Sequence, residues 1–358
     1  MKALFLSVTV GAGHNSVAKA LNDYFSLQGF ETQTIDLFKN CKKIQSAISG
    51  VGFKAMYTFP KIANMFYNKD KRTNHSFFEI AIKYTKDETL KKINEFSPDI
   101  IVSSHIAGLV FTQKYRNLIN KPFKNAFIVT DYDLTPSLFN DNNQDFIIVP
   151  NKDFKQQLLN KGFAEDKVYP FGIPISAKFF QKQDKQSLVE KLNLSNFDTT
   201  KPTILFMGGG KGLGKIYGTI KYLIKNSDLQ CIVICGKNQK LKQKIDSIKS
   251  NKVFSFGYVN NVNELMDLSD YIFGKTGGLS STESLAKNLV ILSYKNIPCP
   301  EYANLMYFAK NNVAFVIKKQ SEIISNTKAN KKNTDTRFIK PNTCKDIYEL
   351  LTNKKISV

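Results

Sequence analysis

One local pattern recurs along the chain: a short apolar run, a turn rich in glycine, then a segment with helical spacing. In the first half, apolar runs predict strands over 2–9, 31–36, 99–103, 125–130 and 145–149. LFLSVTVGAGHNSVAKALNDYF adds a glycine turn and a helix over 14–28 directly behind the first strand. A second series begins at TILFMGG and continues through CIVICG, KVFSFGYV, DYIFGKTGG, LVILSY and VAFVI, with helical segments between. Continuous apolar runs alternating with helices bury both faces of a parallel sheet, so the fold class is α/β, two doubly wound units in succession. Ligands of such units lie beyond the carboxyl ends of the strands, and two units facing each other imply a cleft.

The polar stretch SAKFFQKQDKQSLVEKLNLSNFDTTKP, 176–202, lacks strand signals and reads as a linker. The expected division is therefore an N-terminal domain over 1–175 and a C-terminal domain over 203–340. A last helix within 341–358 is free to pack on either domain. A length of 358 residues suits two domains.

Five scattered cysteines, without metal-ligand spacing, point to a reducing compartment. Cys231 and Cys235 lie in an apolar run and read as small buried hydrophobes. His14, His75 and His105 are far apart in sequence, which argues against a structural zinc site. The start, MKALFLSVTV, reads as a buried strand rather than a signal peptide because it leads into GAGH and an amphipathic helix. No apolar window reaches spanning length.

Three glycine loops follow strands. GAGH, 11–14, puts backbone amides and a helix N-terminus where an anion or developing negative charge can be held; a tight strand-to-helix turn is the plainer reading. MGGGKGLGK, 207–215, fits a P-loop from Gly209 to Lys215, but Ile216 stands where that motif requires Ser or Thr on magnesium. Gly209 and Gly210 are thus candidates for diphosphate contact without the NTPase mechanism, and a flexible connection explains them equally. GKTGGLSSTESLAKN, 274–288, carries Lys275, Gly277 and Gly278, which admit a ligand closely. It also carries Glu283, a carboxylate able to accept from two sugar hydroxyls or to act as ordinary helix capping. The triplet DYD, 131–133, reads as a metal-binding pair or as turn-forming aspartates, and no metal is assigned.

GAGHNSVAKAL, together with GYVNNVNELMDLSDYIFGKTGGLSSTESLAKNLVILSY and IPCPEYAN, resembles the diacylglycerol glucosyltransferases and monogalactosyldiacylglycerol synthases of glycosyltransferase family 28. More distantly, these segments resemble the N-acetylglucosaminyl transferase of peptidoglycan synthesis. The resemblance covers nearly the whole chain and is strongest over about 256–304. It implies a GT-B fold, two Rossmann-like domains with the nucleotide sugar held mainly by the second. Tyr258 and Val259 would lie against uracil, Glu283 would hold the ribose hydroxyls, and Gly277 with Gly278 would face the diphosphate. The family segment PGQExxN stands here as PCPEYAN: Glu301 and Asn304 are kept as expected donor contacts, and Pro300 replaces the glutamine. TDYDLTPSLF lacks the His and Trp that relatives often carry after TD.

The family is inverting, which implies a single displacement in which the acceptor hydroxyl loses its proton. An imidazole with a pKa near neutrality suits that proton, so His14 is the candidate base; Asp131 is the second candidate, as base or as orienter of His14. The helix N-terminus would favour neutral His14. Charge on departing UDP would be met by loop amides and Lys275, with no obligatory metal or cofactor beyond the UDP-sugar donor, UDP-glucose or UDP-galactose.

The formal charge of +21 predicts attraction to polyanions. Over 39–72 there are eight Lys or Arg against Asp70 alone, a local net charge of +7. Ile48 and Val51 fall at helical spacing, and Phe53, Met56, Tyr57, Phe59 and Phe66 add apolar surface beside Lys54. An apolar face with a basic rim suits an interfacial segment on anionic phospholipid, where a diacylglycerol or glycolipid acceptor is reached; a hairpin packed on the sheet is the alternative. The expected protein is a peripheral glycolipid synthase on the cytoplasmic side of the cell membrane. Other readings are a UDP-sugar epimerase, against which the basic aromatic segment argues, a UDP-binding relative without turnover, and a basic nucleic-acid-binding protein, for which no recognition motif appears.

Overall fold

The computed structural model describes residues 1–9, 13–39, 59–61, 64, 76–134, 144–208, 216–328 and 336–354. They form two compact units: Met1–Ser176 with Lys340–Val358, and Ala177–Ile339. In chain order the first unit carries β1 (Lys2–Ser7), α1 (Gly13–Leu27), β2 (Glu31–Asp36), α2 (Ser76–Phe96), β3 (Ile100–Ser103), α3 (Ile106–Tyr115), β4 (Lys124–Ile128), β5 (Phe146–Ile148), α4 (Lys152–Leu159) and β6 (Val168–Tyr169). The second opens with α5 (Lys185–Lys191), β7 (Thr203–Met207), α6 (Ile216–Asn226), β8 (Gln230–Ile234), α7 (Gln239–Asp246), β9 (Val253–Phe256) and α8 (Val262–Asp267). It continues with β10 (Tyr271–Gly274), α9 (Gly278–Ala286), β11 (Val290–Tyr294), α10 (Glu301–Lys310), β12 (Ala314–Ile317) and α11 (Gln320–Lys328), and the chain returns to the first unit with α12 (Thr343–Thr352).

Each unit holds a parallel six-stranded sheet. The order is β2-β1-β3-β4-β5-β6 in the first, which begins as a flavodoxin-like sheet does, and β12-β11-β10-β7-β8-β9 in the second, the arrangement of a dinucleotide-binding sheet. Strand β6 has only two residues, too short for its apolar pattern to be seen in the sequence. On β1 the side chains alternate between two helical layers, as a pleated strand requires. Leu4 and Leu6 pack in a cluster with Ile82 and Ile93 of α2 and Phe111 of α3. Phe5 meets Phe25 of α1 edge to face, and Phe25 in turn meets Tyr348 of α12. Helix α1 buries Val17, Ala18, Ala20, Leu21 and Phe25 at helical spacing and ends at Gly29, whose φ of +81° suits glycine at a helix terminus.

In the second unit Ile204, Phe206, Cys231, Val233 and Phe273 from three adjacent strands share a core with Ile216, Ile220 and Leu223 of α6. Cys231 and Cys235 are fully buried, and burial pushes the Cys231 thiol up to about 12, which suits packing rather than ligation. The segment expected as a linker differs from that reading: from Ala177 on it belongs to the second unit. Two ion pairs fasten it there, Lys185 to Asp270 at 3.2 Å and Lys191 to Glu264 at 2.7 Å, and Leu188 is buried. Among the described residues no helix is long and apolar enough to cross a membrane.

Both sheets reverse their winding once, β1 standing between β2 and β3 and β7 between β8 and β10. In open parallel sheets ligands lie beyond the carboxyl ends of the strands at such a reversal, which marks the ends of β1 and β3 and of β7 and β10. Gly274 ends β10 so close to β7 that a Cβ there would stand 2.2 Å from the Met207 carbonyl oxygen. Because that obstacle is backbone, Gly274→Ala is expected to cost about 1–3 kcal/mol through overpacking and to lower the midpoint of a thermal melt by several degrees. An unchanged midpoint would show that the strands part without cost.

Candidate functional site

At the first switch point, β1 feeds α1 and His14 stands in the first turn of that helix. Its Nδ1 lies 2.7 Å from the Ser104 carbonyl oxygen and 3.2 Å from Thr130 Oγ1. A carbonyl only accepts, so Nδ1 carries the proton and donates to it, which leaves the Nε2 lone pair of neutral His14 as a proton acceptor. Ser104 closes the arrangement from the other side, its hydroxyl donating to the carbonyls of His14 at 3.0 Å and Leu6 at 3.3 Å. The neighbouring residue is held separately. Ser7 Oγ donates to Asn15 Oδ1 at 2.6 Å, Asn15 Nδ2 donates to Thr9 Oγ1 at 2.7 Å, and Thr9 Oγ1 donates to Asp36 at the end of β2.

Burial lowers the proton affinity of His14 below the ordinary imidazole value, the largest effect on it; the Asp131 carboxylate and the Ser104 carbonyl act in the opposite direction. Burial thus outweighs the helix N-terminus as the reason for a neutral ring. Asp131, behind β4, is brought to His14 by the β3–β4 pairing. The fold also brings together two histidines that stand apart in the sequence. The rings of His14 and His105 are 4.6 Å apart and nearly perpendicular, at 88°. His105, Ser104 and Thr130 carry no motif. The signal that finds them is topological, because β3 and β4 follow β1 across the sheet and place their ends beside His14.

At the second switch point, Gly277 caps α9 and offers no side chain to the first amides of that helix, which leaves its N-terminus suited to an anion. Lys275 Nζ is 3.2 Å from Glu301 Oε1, at the start of α10. Thr276 Oγ1 donates to the Glu301 carbonyl at 2.6 Å, and Asn304 Nδ2 donates to the Thr276 carbonyl at 2.8 Å. Asn304, expected to touch the donor, is fully buried, and its amide donates to the loop behind β10. Glu301 is nearly buried and pairs with Lys275, so it places that ammonium group. Pro300 is the N-cap residue of α10.

Glu283, one turn further along α9 than Gly278 and its neighbours, makes no side-chain hydrogen bond to another described residue. Burial pushes its carboxyl up to about 8, opposed only in part by Lys178. Lys178 Nζ donates to the Asn260 carbonyl at 2.9 Å. Tyr258 is 64% exposed, with Lys237 Nζ 5.8 Å from its ring centre, and Val259 is partly buried. Gly209 and Gly210 lie outside the described residues, as do Ile48, Val51, Phe53, Lys54, Met56, Tyr57 and Phe66. Phe59 is described and is 60% exposed. Among the described residues no three His, Cys, Asp or Glu side chains come together as a metal site.

A carboxyl that keeps its proton up to about pH 8 when folded, against about 4.3 unfolded, makes the folded state bind more protons between those values, so stability falls as pH rises through that window. Glu283→Gln removes this cost. The variant is expected to melt above the wild type at pH 8.5 and close to it at pH 5, in parallel thermal melts; an equal melting point at pH 8.5 would show the carboxylate to be well solvated.

The family model for monogalactosyldiacylglycerol (MGDG) synthase matches residues 14–175. A processive diacylglycerol beta-glucosyltransferase of Bacillus licheniformis is 27% identical over 328 residues, covering 90% of this chain and 84% of the relative. One from Bacillus subtilis is 26% identical over 354 residues, 97% of this chain and 91% of the relative. Among solved structures, the UDP-GlcNAc 2-epimerase of Methanocaldococcus jannaschii, in complex with UDP-GlcNAc and UDP, has a TM-score of 0.60 at 15% identity, over 99% of this chain and 100% of that one. Acinetobacter baumannii MurG has a TM-score of 0.57 at 11% identity, over 99% of each chain. At such identities these structures speak for the fold, two Rossmann-like domains of the GT-B class. The family match to the unit that carries His14, joined to similarity over nine-tenths of the chain, makes this chain similar to the monogalactosyldiacylglycerol synthases and the processive diacylglycerol beta-glucosyltransferases.

Proposed function

We propose that the protein is an inverting hexosyltransferase that moves glucose or galactose from a UDP-sugar to a diacylglycerol-type acceptor at a membrane surface and so makes a glycolipid. The observation that carries this reading is the state of His14: neutral, with Nδ1 committed to Ser104 and Nε2 left to accept, in the unit that the MGDG synthase model matches. The first unit takes the acceptor and the second the donor.

Nε2 of His14 takes the proton of the acceptor hydroxyl as that oxygen attacks the anomeric carbon, and the imidazolium that forms is balanced by Asp131 and the Ser104 carbonyl. The bond from the sugar to UDP breaks in the same step. Negative charge that gathers on UDP meets the amides at Gly277 and Gly278 and the Lys275 ammonium, which Glu301 and Asn304 keep in place. Glu283 accepts from the ribose hydroxyls, an interaction that favours its ionised form and offsets its burial. Tyr258 and Val259 lie against uracil, and Gly209 and Gly210 line the diphosphate. Residues 39–72, with exposed Phe59 and a local charge of +7, seat the first unit on anionic phospholipid, peripherally and on the cytoplasmic side.

The test is a vesicle assay with anionic phospholipid, diacylglycerol and radiolabelled UDP-glucose or UDP-galactose. A labelled glycolipid is expected, with the rate reduced about 10²–10⁴-fold in His14→Ala. Because a protonated His14 cannot act as base, activity is expected to fall with decreasing pH, its acid limb lying below the ordinary histidine value of about 6.5. Binding of UDP without lipid product from either donor would refute the transferase and leave a UDP-binding relative without turnover.

A further inference from the structure

We propose that His105 is the positioning residue of the site: its ring, standing edge to face against His14, holds the base imidazole in the plane that presents Nε2 to the acceptor. The proposal rests on His14 as the base, and its experiment separates the two.

Few residues of the first unit are fixed from so many sides. His105 is the N-cap residue of α3, with extended backbone at φ −140° and ψ 149°, and its Nδ1 accepts from the Ala107 amide at 3.0 Å. Only 8% of its surface is exposed. The helix it caps cannot slide along the sheet. A Cβ at Gly108 would stand 2.9 Å from Ser103 Oγ and 3.1 Å from Leu6 Cβ, so α3 is seated in direct contact with β1 and β3. A cap of Asn, Ser or Asp would serve α3 as well as histidine does. Capping therefore does not account for an aromatic ring at this position, and the contact with His14 does.

The chemistry of the pair requires one neutral partner. With Nδ1 of His105 accepting from Ala107, its proton sits on Nε2. Burial and the nearness of His14 keep His105 from taking a second proton, its affinity lying well below the ordinary histidine value. Two imidazolium rings this close would repel, so a His105 that stays neutral lets His14 accept the acceptor's proton without a competing charge. The groups that face His14 among the described residues are Asp131 behind β4, His105 at the start of α3, the Ser104 carbonyl and Thr130 Oγ1. No acid stands in the first turn of α1, and Asp36 at the end of β2 is engaged by Thr9.

Two substitutions divide the roles. His105→Asn keeps an acceptor for the Ala107 amide and removes the ring; His105→Phe keeps a ring and removes the acceptor. The chain has three histidines, so each ring can be followed by NMR in full-length protein labelled with 13C-histidine, with His75→Ala and His14→Ala to assign the signals. In His105→Asn the opened site lets water reach His14, and its titration is expected to move up toward the ordinary histidine value. In the vesicle assay kcat is expected to fall about tenfold with KM for the UDP-sugar within twofold, the acid limb moving up with the His14 titration. His105→Phe is expected to keep the His14 titration near the wild-type position while lowering the melting point through the lost cap. An unmoved His14 titration in His105→Asn overturns the proposal, as does a titration displaced in His105→Phe as far as in His105→Asn. The titration needs no turnover, so a wild type that makes no glycolipid refutes the transferase reading alone.

Discussion

The pairing of β1 with β3 in the first sheet is the constraint on which the setting of His14 depends. Leu6 stands opposite Ser103, so the next residue, Ser104, comes against His14 in the first turn of α1. Its carbonyl accepts a hydrogen bond from Nδ1 of His14, while its hydroxyl donates to the carbonyls of Leu6 and His14. A parallel sheet buries its faces under helices and leaves its strand ends as the place where backbone polar groups remain to be satisfied. Here the Ser104 carbonyl is satisfied by the ring of His14, and the His14 carbonyl by the Ser104 hydroxyl. The same bonds that complete the end of the sheet thus select the tautomer of the imidazole.

The second unit solves a different problem with similar means. A departing diphosphate needs donors that are already oriented, since donors that must reorganise lose much of their effect. Thr276 and Asn304 tie the loop behind β10 to the start of α10, and Glu301 places Lys275 beside the same loop. Gly274 permits this by bringing β10 against β7 closer than any side chain would allow. Glu301 and Asn304, expected as donor contacts, thus also hold the loop behind β10. Glu283 is the exception among these groups: a carboxyl with no side-chain hydrogen bond of its own to a described residue is destabilised by burial until a ligand supplies donors.

Titratable groups in the two units are tuned by the same force in opposite senses. Burial lowers His14 and His105 and raises Glu283, because in each case it disfavours the charged form. The consequence is that these three groups favour their neutral forms. The formal charge of +21 bears on attraction to anionic surfaces.

Sequence by itself determined the two parallel sheets, the glycine turns behind their strands and the residue types at those turns. These features are local: apolar runs short enough for strands, helical spacing between them and glycines where a ligand or backbone must come close. GAGH and GKTGGLSSTES therefore named His14, Lys275, Gly277 and Glu283 directly. Tertiary structure alone decided what stands against them. His105 and Thr130 lie 91 and 116 positions beyond His14, and only the strand order β2-β1-β3-β4 brings them to its ring. The fastening of 177–202 to the second unit and the burial of Asn304 were likewise settled by partners distant in sequence, Asp270, Glu264 and Thr276. Periodicity records which face of an element is buried, but which polar group meets which across a switch point follows from the order of the strands, and that order is fixed by the packing of the whole sheet.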